Sequence, residues 1–114
     1  MDSREKLLFV CSRNQWRSPT AQAIFKNSRF YEARSAGTET GARIKITAGL
    51  LHWADWIFVM EKRHLARLRQ KYPDALPGRS VVTLHIPDAY EFMDAELLEI
   101  LHGRLAEYLD LDEI

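Results

Sequence analysis

One segment near the start of the chain, residues 7–19, decides the fold and reads LLFVCSRNQWRSP. Its first four residues form an apolar run without polar alternation, which is typical of a strand covered on both faces. A polar stretch follows from Ser12 to Arg17 and indicates a loop. Ser18 is a good helix cap and Pro19 suits a first helical position, so we expect a helix to run to about residue 28. The segment therefore predicts a strand, a loop and a helix in direct succession.

The same alternation continues to the end of the chain. Further strands are predicted at residues 31–34, 55–60 and 80–86, and helices at residues 47–53, 61–72 and from Asp94 through Leu109. Residues 35–38 are predicted as loop. Alternating strands and helices indicate a parallel sheet with helices on both faces, hence a three-layer α/β fold, and we expect one domain over residues 1–114. Ligands bind such sheets beyond the carboxyl ends of the strands, where Cys11 and the loop at 87–93 are expected.

The composition excludes several classes of function. The chain has 16 Lys and Arg against 16 Asp and Glu, so no global field draws it to nucleic acid or to an anionic membrane. Its one cysteine cannot form an intramolecular disulfide, and its first apolar run is too short for a signal or a membrane span, so we expect a cytoplasmic protein. The four histidines lack metal-ligand spacing, and neither metal nor cofactor is expected. Any anion site must therefore be local.

That local site is predicted in the loop from Cys11 to Arg17. The cysteine ends a strand, and the arginine immediately precedes a helix N-terminus, whose unpaired N–H groups favour anions. If the loop curls, its backbone N–H groups form a nest for an oxyanion, and Arg17 can hold two oxygens in a bidentate fork. The same surroundings favour the thiolate form of Cys11, the nucleophile that attack on phosphorus requires. The residues expected to bind phosphate are Ser12, Arg13, Asn14, Gln15, Trp16, Arg17 and Ser18.

Two of these residues have further predicted roles. The Ser18 hydroxyl is placed to donate to the Cys11 sulfur, which would make the sulfur a better leaving group later. Asn14 tolerates the left-handed backbone that a tight loop often needs. The alternative is a cysteine that only packs, with Arg17 at the surface, but the strand, the loop and the Ser-Pro helix start together argue against it.

The residues of this segment resemble the signature of the low-molecular-weight protein tyrosine phosphatases. The matching stretches are FVC at 9–11, Asn14, RSP at 17–19, Ala21, SAGT at 35–38 and ADWIFVME at 54–61. The chain is similar in particular to a short bacterial branch described as predicted protein tyrosine phosphatases. The resemblance implies a four-stranded parallel sheet with strand order 2-1-3-4.

The resemblance also implies roles for single residues. Cys11 would be the nucleophile and Arg17 the phosphate clamp, with Asn14, Ser18 and Ser35 supporting the loop. The chain departs from the family in three places: Arg13 stands where glycine is usual, Trp16 where a second cysteine is common, and the segment after Thr38 is short.

A general acid is expected in the loop after the last strand, where the family has an aspartate that is usually followed directly by proline. Here Asp88 follows Pro87 and is assigned to protonate the leaving group, and then to activate the water that hydrolyses the phosphocysteine. Glu91 and Asp94 are the rivals, although Asp94 is well explained as the cap of the last helix.

Two aromatic residues of the same loop are candidate pocket walls. Tyr90 and Phe92 could stack on a phenyl phosphate, and packing of the loop onto the last helix is an equal alternative for both. Trp16 could face the substrate or shield the edge of the loop.

The sequence therefore predicts a phosphomonoester hydrolase, similar to protein tyrosine phosphatases, that forms a phosphocysteine on Cys11. Its partners would be a phosphorylated protein or a small phosphomonoester, with inorganic phosphate as product. The alternatives are a phosphocysteine carrier, a non-catalytic phosphate-binding module and, less favoured, an arsenate reductase resolved by an external thiol. A carrier would not require Arg17, and a single cysteine rules out an intramolecular redox relay.

Overall fold

Four parallel strands form the centre of the fold. In the computed structural model, which describes residues 3–112, they are β1 (Glu5–Cys11), β2 (Tyr31–Gly37), β3 (Trp56–Val59) and β4 (Ser80–Thr83). Their order is β2-β1-β3-β4, with Cys11 opposite Gly37 on one side of β1 and Val10 opposite Val59 on the other. The predicted α/β fold and its strand order are confirmed.

Helices cover both faces of this sheet. They are α1 (Arg17–Ile24), α2 (Ala48–Trp53), α3 (Lys62–Lys71) and α4 (Ala95–Leu105), with a 3-10 turn at Pro73–Ala75. Leu7 and Phe9 of β1 pack on the face that α1 and α4 cover, and Leu8 and Val10 pack on the face of α2 and α3. All four side chains are fully buried, as the apolar run predicted. None of the helices within residues 3–112 is both long and apolar enough to cross a membrane.

The predicted bounds of the first helix are wrong at both ends. α1 begins at Arg17 with Trp16 as its cap, so Ser18 lies inside the first turn and does not cap the helix. The helix ends at Ile24 rather than near residue 28. The Ser28 hydroxyl instead accepts hydrogen bonds from the backbone N–H of Phe30 and of Tyr31, which turns the chain into β2.

The ends of β2 and β4 also differ from the predicted bounds. Residues 35–37, predicted as loop, belong to β2 because pairing with β1 supplies their backbone partners. β4 ends at Thr83 rather than at residue 86, since His85 adopts a left-handed backbone with φ 56° that interrupts the ladder.

The other predicted helices form with small changes. The Thr47 side chain accepts from the Leu50 backbone N–H and caps α2, as predicted. Asp94 caps α4 in the same way, but the helix ends at Leu105, so Leu109 lies beyond it.

Candidate active site

The loop between β1 and α1, at residues 11–17, is fastened on its outer side to the segment that follows β2. Four consecutive loop carbonyls accept hydrogen bonds from that segment. The pairs are Cys11 O with Thr38 N at 3.0 Å, Ser12 O with Glu39 N at 2.9 Å, Arg13 O with Arg43 N at 3.0 Å, and Asn14 O with Arg43 Nε at 3.0 Å. In a trans peptide the N–H points opposite to the carbonyl of the preceding residue. The N–H groups of residues 12–15 therefore point away from the segment that follows β2, toward the inside of the loop. This is the arrangement of an anion nest.

A glycine permits this close approach. A Cβ atom on Gly37 would lie 2.6 Å from the carbonyl oxygen of Ser12 and 2.7 Å from the Cβ of Ala42. Real Cβ atoms do not come so near to backbone oxygens, so a larger residue would push β2 away from the loop. The SAGT stretch of the sequence therefore contributes a steric fit at this point.

A buried hydrogen-bond relay leads to the sulfur of Cys11. Asn14 has a left-handed backbone with φ 57°, and its Nδ2 donates to the Ser18 Oγ at 2.8 Å. That hydroxyl lies 3.0 Å from the Cys11 Sγ. The Ser18 Oγ also lies 3.5 Å from the Ala36 carbonyl oxygen, so its proton has two acceptors within reach, and its donation to the sulfur stays a prediction.

Arg17 is buried beneath the loop with one edge of its guanidinium anchored. Its Nη1 donates to the Glu61 carboxylate at 2.9 Å and to the Ile86 carbonyl at 2.8 Å, which uses both protons of that nitrogen. The Nε and Nη2 protons remain for a ligand. The side chain is only 2% exposed, so its orientation is fixed by these contacts.

The Glu61 carboxylate is shared between two arginines. It also accepts from the Arg63 side chain, with Nη2 at 2.7 Å. Burial alone would raise the pKa of Glu61, but the hydrogen bonds from Arg17 and Arg63 outweigh it and lower the pKa below its ordinary value of 4.5. Glu61 therefore stays ionised and keeps Arg17 in place.

The predicted nucleophile, clamp and acid open into one cavity of about 330 Å³. Its walls are formed by Cys11, Arg13, Gln15, Trp16, Arg17, Glu39, Arg63 and Asp88. The Asp88 Oδ1 lies 3.8 Å from the Arg17 Nε, and its side chain is 49% exposed. A larger groove of about 620 Å³ shares Gln15 with this cavity, but neither Cys11 nor Arg17 lines it.

Other residues predicted for the site lie outside the cavity. Tyr90 packs against the core under α1 and α4, and Phe92 borders the larger groove with half of its surface exposed. Ser35 hydrogen-bonds to Gln22 of α1 and not to the loop. Asp94 is occupied as a helix cap by two backbone N–H groups.

Three residues that contact the candidate site were not predicted from the sequence, namely Glu61, His64 and Arg43. In the sequence, Glu61 stands out only as the end of a matching stretch, and the histidines are considered only as metal ligands. The position of Glu61 just after β3, at the same sheet edge as Cys11, could have identified it. Arg43 lies in an irregular segment, and no local pattern indicates that it reaches the loop.

Comparison with solved structures finds the same fold in several phosphatases. The tyrosine phosphatase Wzb from Escherichia coli K30, in complex with phosphate, is 21% identical, with a TM-score of 0.75 over 97% of this chain and 99% of that chain. The YwlE arginine phosphatase from Geobacillus stearothermophilus is 22% identical, with a TM-score of 0.67 over 90% and 91% of the two chains. A low-molecular-weight phosphotyrosine phosphatase from Vibrio cholerae O395 is 22% identical, with a TM-score of 0.69 over 90% and 95%.

No protein-family model and no curated protein sequence matches the chain. The structural likeness extends over nearly the whole chain and over nearly the whole of each of these proteins. The chain therefore has the fold of the low-molecular-weight tyrosine phosphatases, as the resemblance of its sequence implied.

Proposed function

We propose that the chain is a cysteine-dependent phosphatase of the low-molecular-weight tyrosine phosphatase type. The observation that carries the proposal is that Cys11 and Arg17 stand at the two ends of one loop. Cys11 is the last residue of β1, and the N–H groups of the loop that follows point inward. The buried guanidinium of Arg17 keeps its Nε and Nη2 protons free for a ligand. A phosphate dianion matches that set of donors in charge and in shape.

In the first step the Cys11 thiolate attacks phosphorus in line with the leaving oxygen. The S–P bond forms and the P–O bond breaks, while Arg17 and the inward N–H groups hold the equatorial oxygens. The hydrogen bond from the Ser18 hydroxyl stabilises negative charge on the sulfur before attack and again when the sulfur leaves.

Asp88 supplies and recovers the proton. In its acid form it protonates the oxygen of the departing alkoxide or phenoxide, and its carboxylate then takes a proton from the water that attacks the phosphocysteine. The S–P bond breaks, and inorganic phosphate and the thiolate are released. Its position at the cavity, 3.8 Å from the clamp, supports this role.

The substrate class follows from the cavity walls. Trp16 is 43% exposed and lines the cavity beside the nucleophile, where its ring can stack on an aryl group. We therefore propose a phosphorylated protein, in the first place on tyrosine, or a small aryl phosphomonoester. A reducing, cytoplasmic location fits an enzyme that depends on a single thiol.

The direct test is hydrolysis of an aryl phosphate by the purified protein. Wild type should turn over, Cys11→Ser should be inactive, and Asp88→Asn should be slower by about a hundredfold or more. Glu91→Gln and Asp94→Asn are matched controls in the same loop and should keep wild-type rates. A wild-type protein without turnover, or turnover that survives the loss of Cys11, contradicts the proposal. An unchanged rate in Asp88→Asn removes only the acid assignment.

A further inference from the structure

A buried histidine stands behind the loop and takes no part in the steps above. His64, in the first turn of α3, is 1% exposed, and both of its ring nitrogens have partners. Nδ1 lies 3.0 Å from the backbone N of Glu61, and Nε2 lies 2.9 Å from the Oγ of Ser12. His64 thus connects α3 to the residue that follows the nucleophile.

The partners of the ring decide which nitrogen carries its proton. The backbone N–H of Glu61 can only donate, so Nδ1 accepts and, in the neutral ring, Nε2 carries the hydrogen. Nε2–H therefore donates to the Ser12 hydroxyl. Burial, with the positive charges of Arg17 and Arg63, lowers the pKa of His64 to about 4, so that the ring is neutral near pH 7.

Ser12 is held from two directions. Its side chain accepts from His64, and its carbonyl accepts from the Glu39 N–H at 2.9 Å. Gly37 packs against that carbonyl with no room for a side chain. The N–H of Ser12 is the first of the inward-facing groups after the sulfur, so fixing this residue fixes the start of the anion nest.

The same turn of α3 holds the other end of the loop. Glu61 donates its backbone N–H to His64 and accepts from Arg17 through its carboxylate. One helical turn therefore sets the position of Ser12 relative to that of the clamp, across the width of the anion site.

We infer that His64 is a positioning residue for the phosphate site: its Nε2–H, acting through Ser12, keeps the first N–H groups of the loop aligned with Arg17. His64 does not line the cavity that Cys11 and Arg17 share. The inference rests on the proposed function in so far as phosphate is the ligand of the loop.

Two amide variants separate this role from helix capping, because each keeps one of the two hydrogen bonds. Asparagine reaches as far as Nδ1 and can accept from Glu61, whereas glutamine reaches as far as Nε2 and can donate to Ser12. Titration calorimetry with inorganic phosphate should show about five- to tenfold weaker binding for His64→Asn and less than about a twofold change for His64→Gln. A residue that only caps α3 would make His64→Gln the less stable variant and leave both phosphate affinities unchanged.

Ser12→Ala makes the test without altering α3, in case His64→Asn does not fold. It should weaken phosphate binding as His64→Asn does, and the double variant should lose little more. The inference is overturned if Ser12→Ala, or a folded His64→Asn, binds phosphate within about twofold of wild type. It is also overturned if the loss of affinity in the double variant equals the product of the two single losses. A wild type that binds phosphate with this dependence but hydrolyses no aryl phosphate contradicts the proposed function alone. A wild type without measurable phosphate affinity contradicts both.

Discussion

The candidate active site has two sides that are built differently, a buried scaffold side and an exposed mouth. On the scaffold side, Asn14, Arg17 and Ser18 are at most 2% exposed, and all three are hydrogen-bonded within the protein. At the mouth, the side chains of Arg13 and Asp88 are 71% and 49% exposed. The difference teaches that the buried side chains are held in place by the protein, whereas the exposed ones can change at little cost in stability. Under the proposed mechanism, the first group would govern attack on phosphorus and the second the choice of leaving group.

Of the changes on the scaffold side, replacement of the buried Arg17 should impair activity most. Arg17→Lys keeps the charge, but it cannot bind Glu61, Ile86 and two phosphate oxygens together. We expect kcat/KM for an aryl phosphate to fall by about a hundred- to a thousandfold. Arg63→Lys is the matched change at the mouth and should cost less than about threefold. Similar losses in both variants would show that the two sides are not distinct.

Lowering the pH should also reduce the stability of the folded protein, because His64 on the scaffold side is buried as a neutral ring. The pKa of this residue falls from 6.5 to about 4 on folding, chiefly because of burial. Between these values the unfolded chain binds a proton that the folded chain does not, so stability is complete above about pH 6.5 and is lost as the pH falls toward 4. The shift amounts to about 3 kcal/mol at most.

Urea unfolding of wild type and of His64→Gln between pH 7 and pH 4 measures this contribution. The stability difference between the two proteins should shrink as the pH falls, because glutamine does not titrate. A difference that stays constant over this range would contradict the assignment of a buried neutral ring.

A methyl group at Gly37 should disturb the scaffold side to a smaller extent. Gly37→Ala forces a Cβ against the Ser12 carbonyl, so β2 or the loop must move, and we expect a loss of about 1–3 kcal/mol in unfolding free energy. Phosphate affinity should fall as well, because the displaced carbonyl carries the inward N–H groups with it. Gly103→Ala is the control, since a Cβ at that position meets no atom within 4 Å.

Removing the aromatic ring at the mouth should have the smallest effect. It should change the preference for aryl over alkyl phosphates rather than the rate of the reaction. Trp16→Ala is expected to raise KM for an aryl phosphate by about three- to tenfold, with kcat and the melting temperature almost unchanged. An alkyl phosphate should show no such loss. Equal changes in KM for both substrates would show that Trp16 supports the loop, as the residues of the scaffold side do, and does not stack on the aryl group.

The local features of the fold could be predicted from the sequence. The apolar run before Cys11 and the Ser-Pro pair after the loop are short-range signals, and they identified β1 and the start of α1 to within two residues. The strand order followed from the resemblance to a known family. Ser18 was misassigned as a cap because α1 begins at Arg17, two residues before the Pro19 start that the Ser-Pro pair indicates.

The supports behind the loop could not be predicted, for a physical reason. Arg43 and His64 lie far along the chain from the carbonyl and the hydroxyl that they bind, and each contact depends on how the loop at residues 11–17 approaches a distant segment. The hydrophobic periodicity of the sequence does not indicate such long-range contacts. Glu61 is the exception, because the end of a neighbouring parallel strand is a place where site residues are expected.

The central claim is that Cys11 carries the phosphoryl group while Arg17 holds it. Rapid acid quench of the protein during turnover of an aryl phosphate, followed by mass spectrometry of its peptides, tests this claim most directly. We predict the mass of one added phosphoryl group on the peptide that contains Cys11, and its absence in Cys11→Ser. Turnover without that adduct, or an adduct on any other residue, would contradict the account.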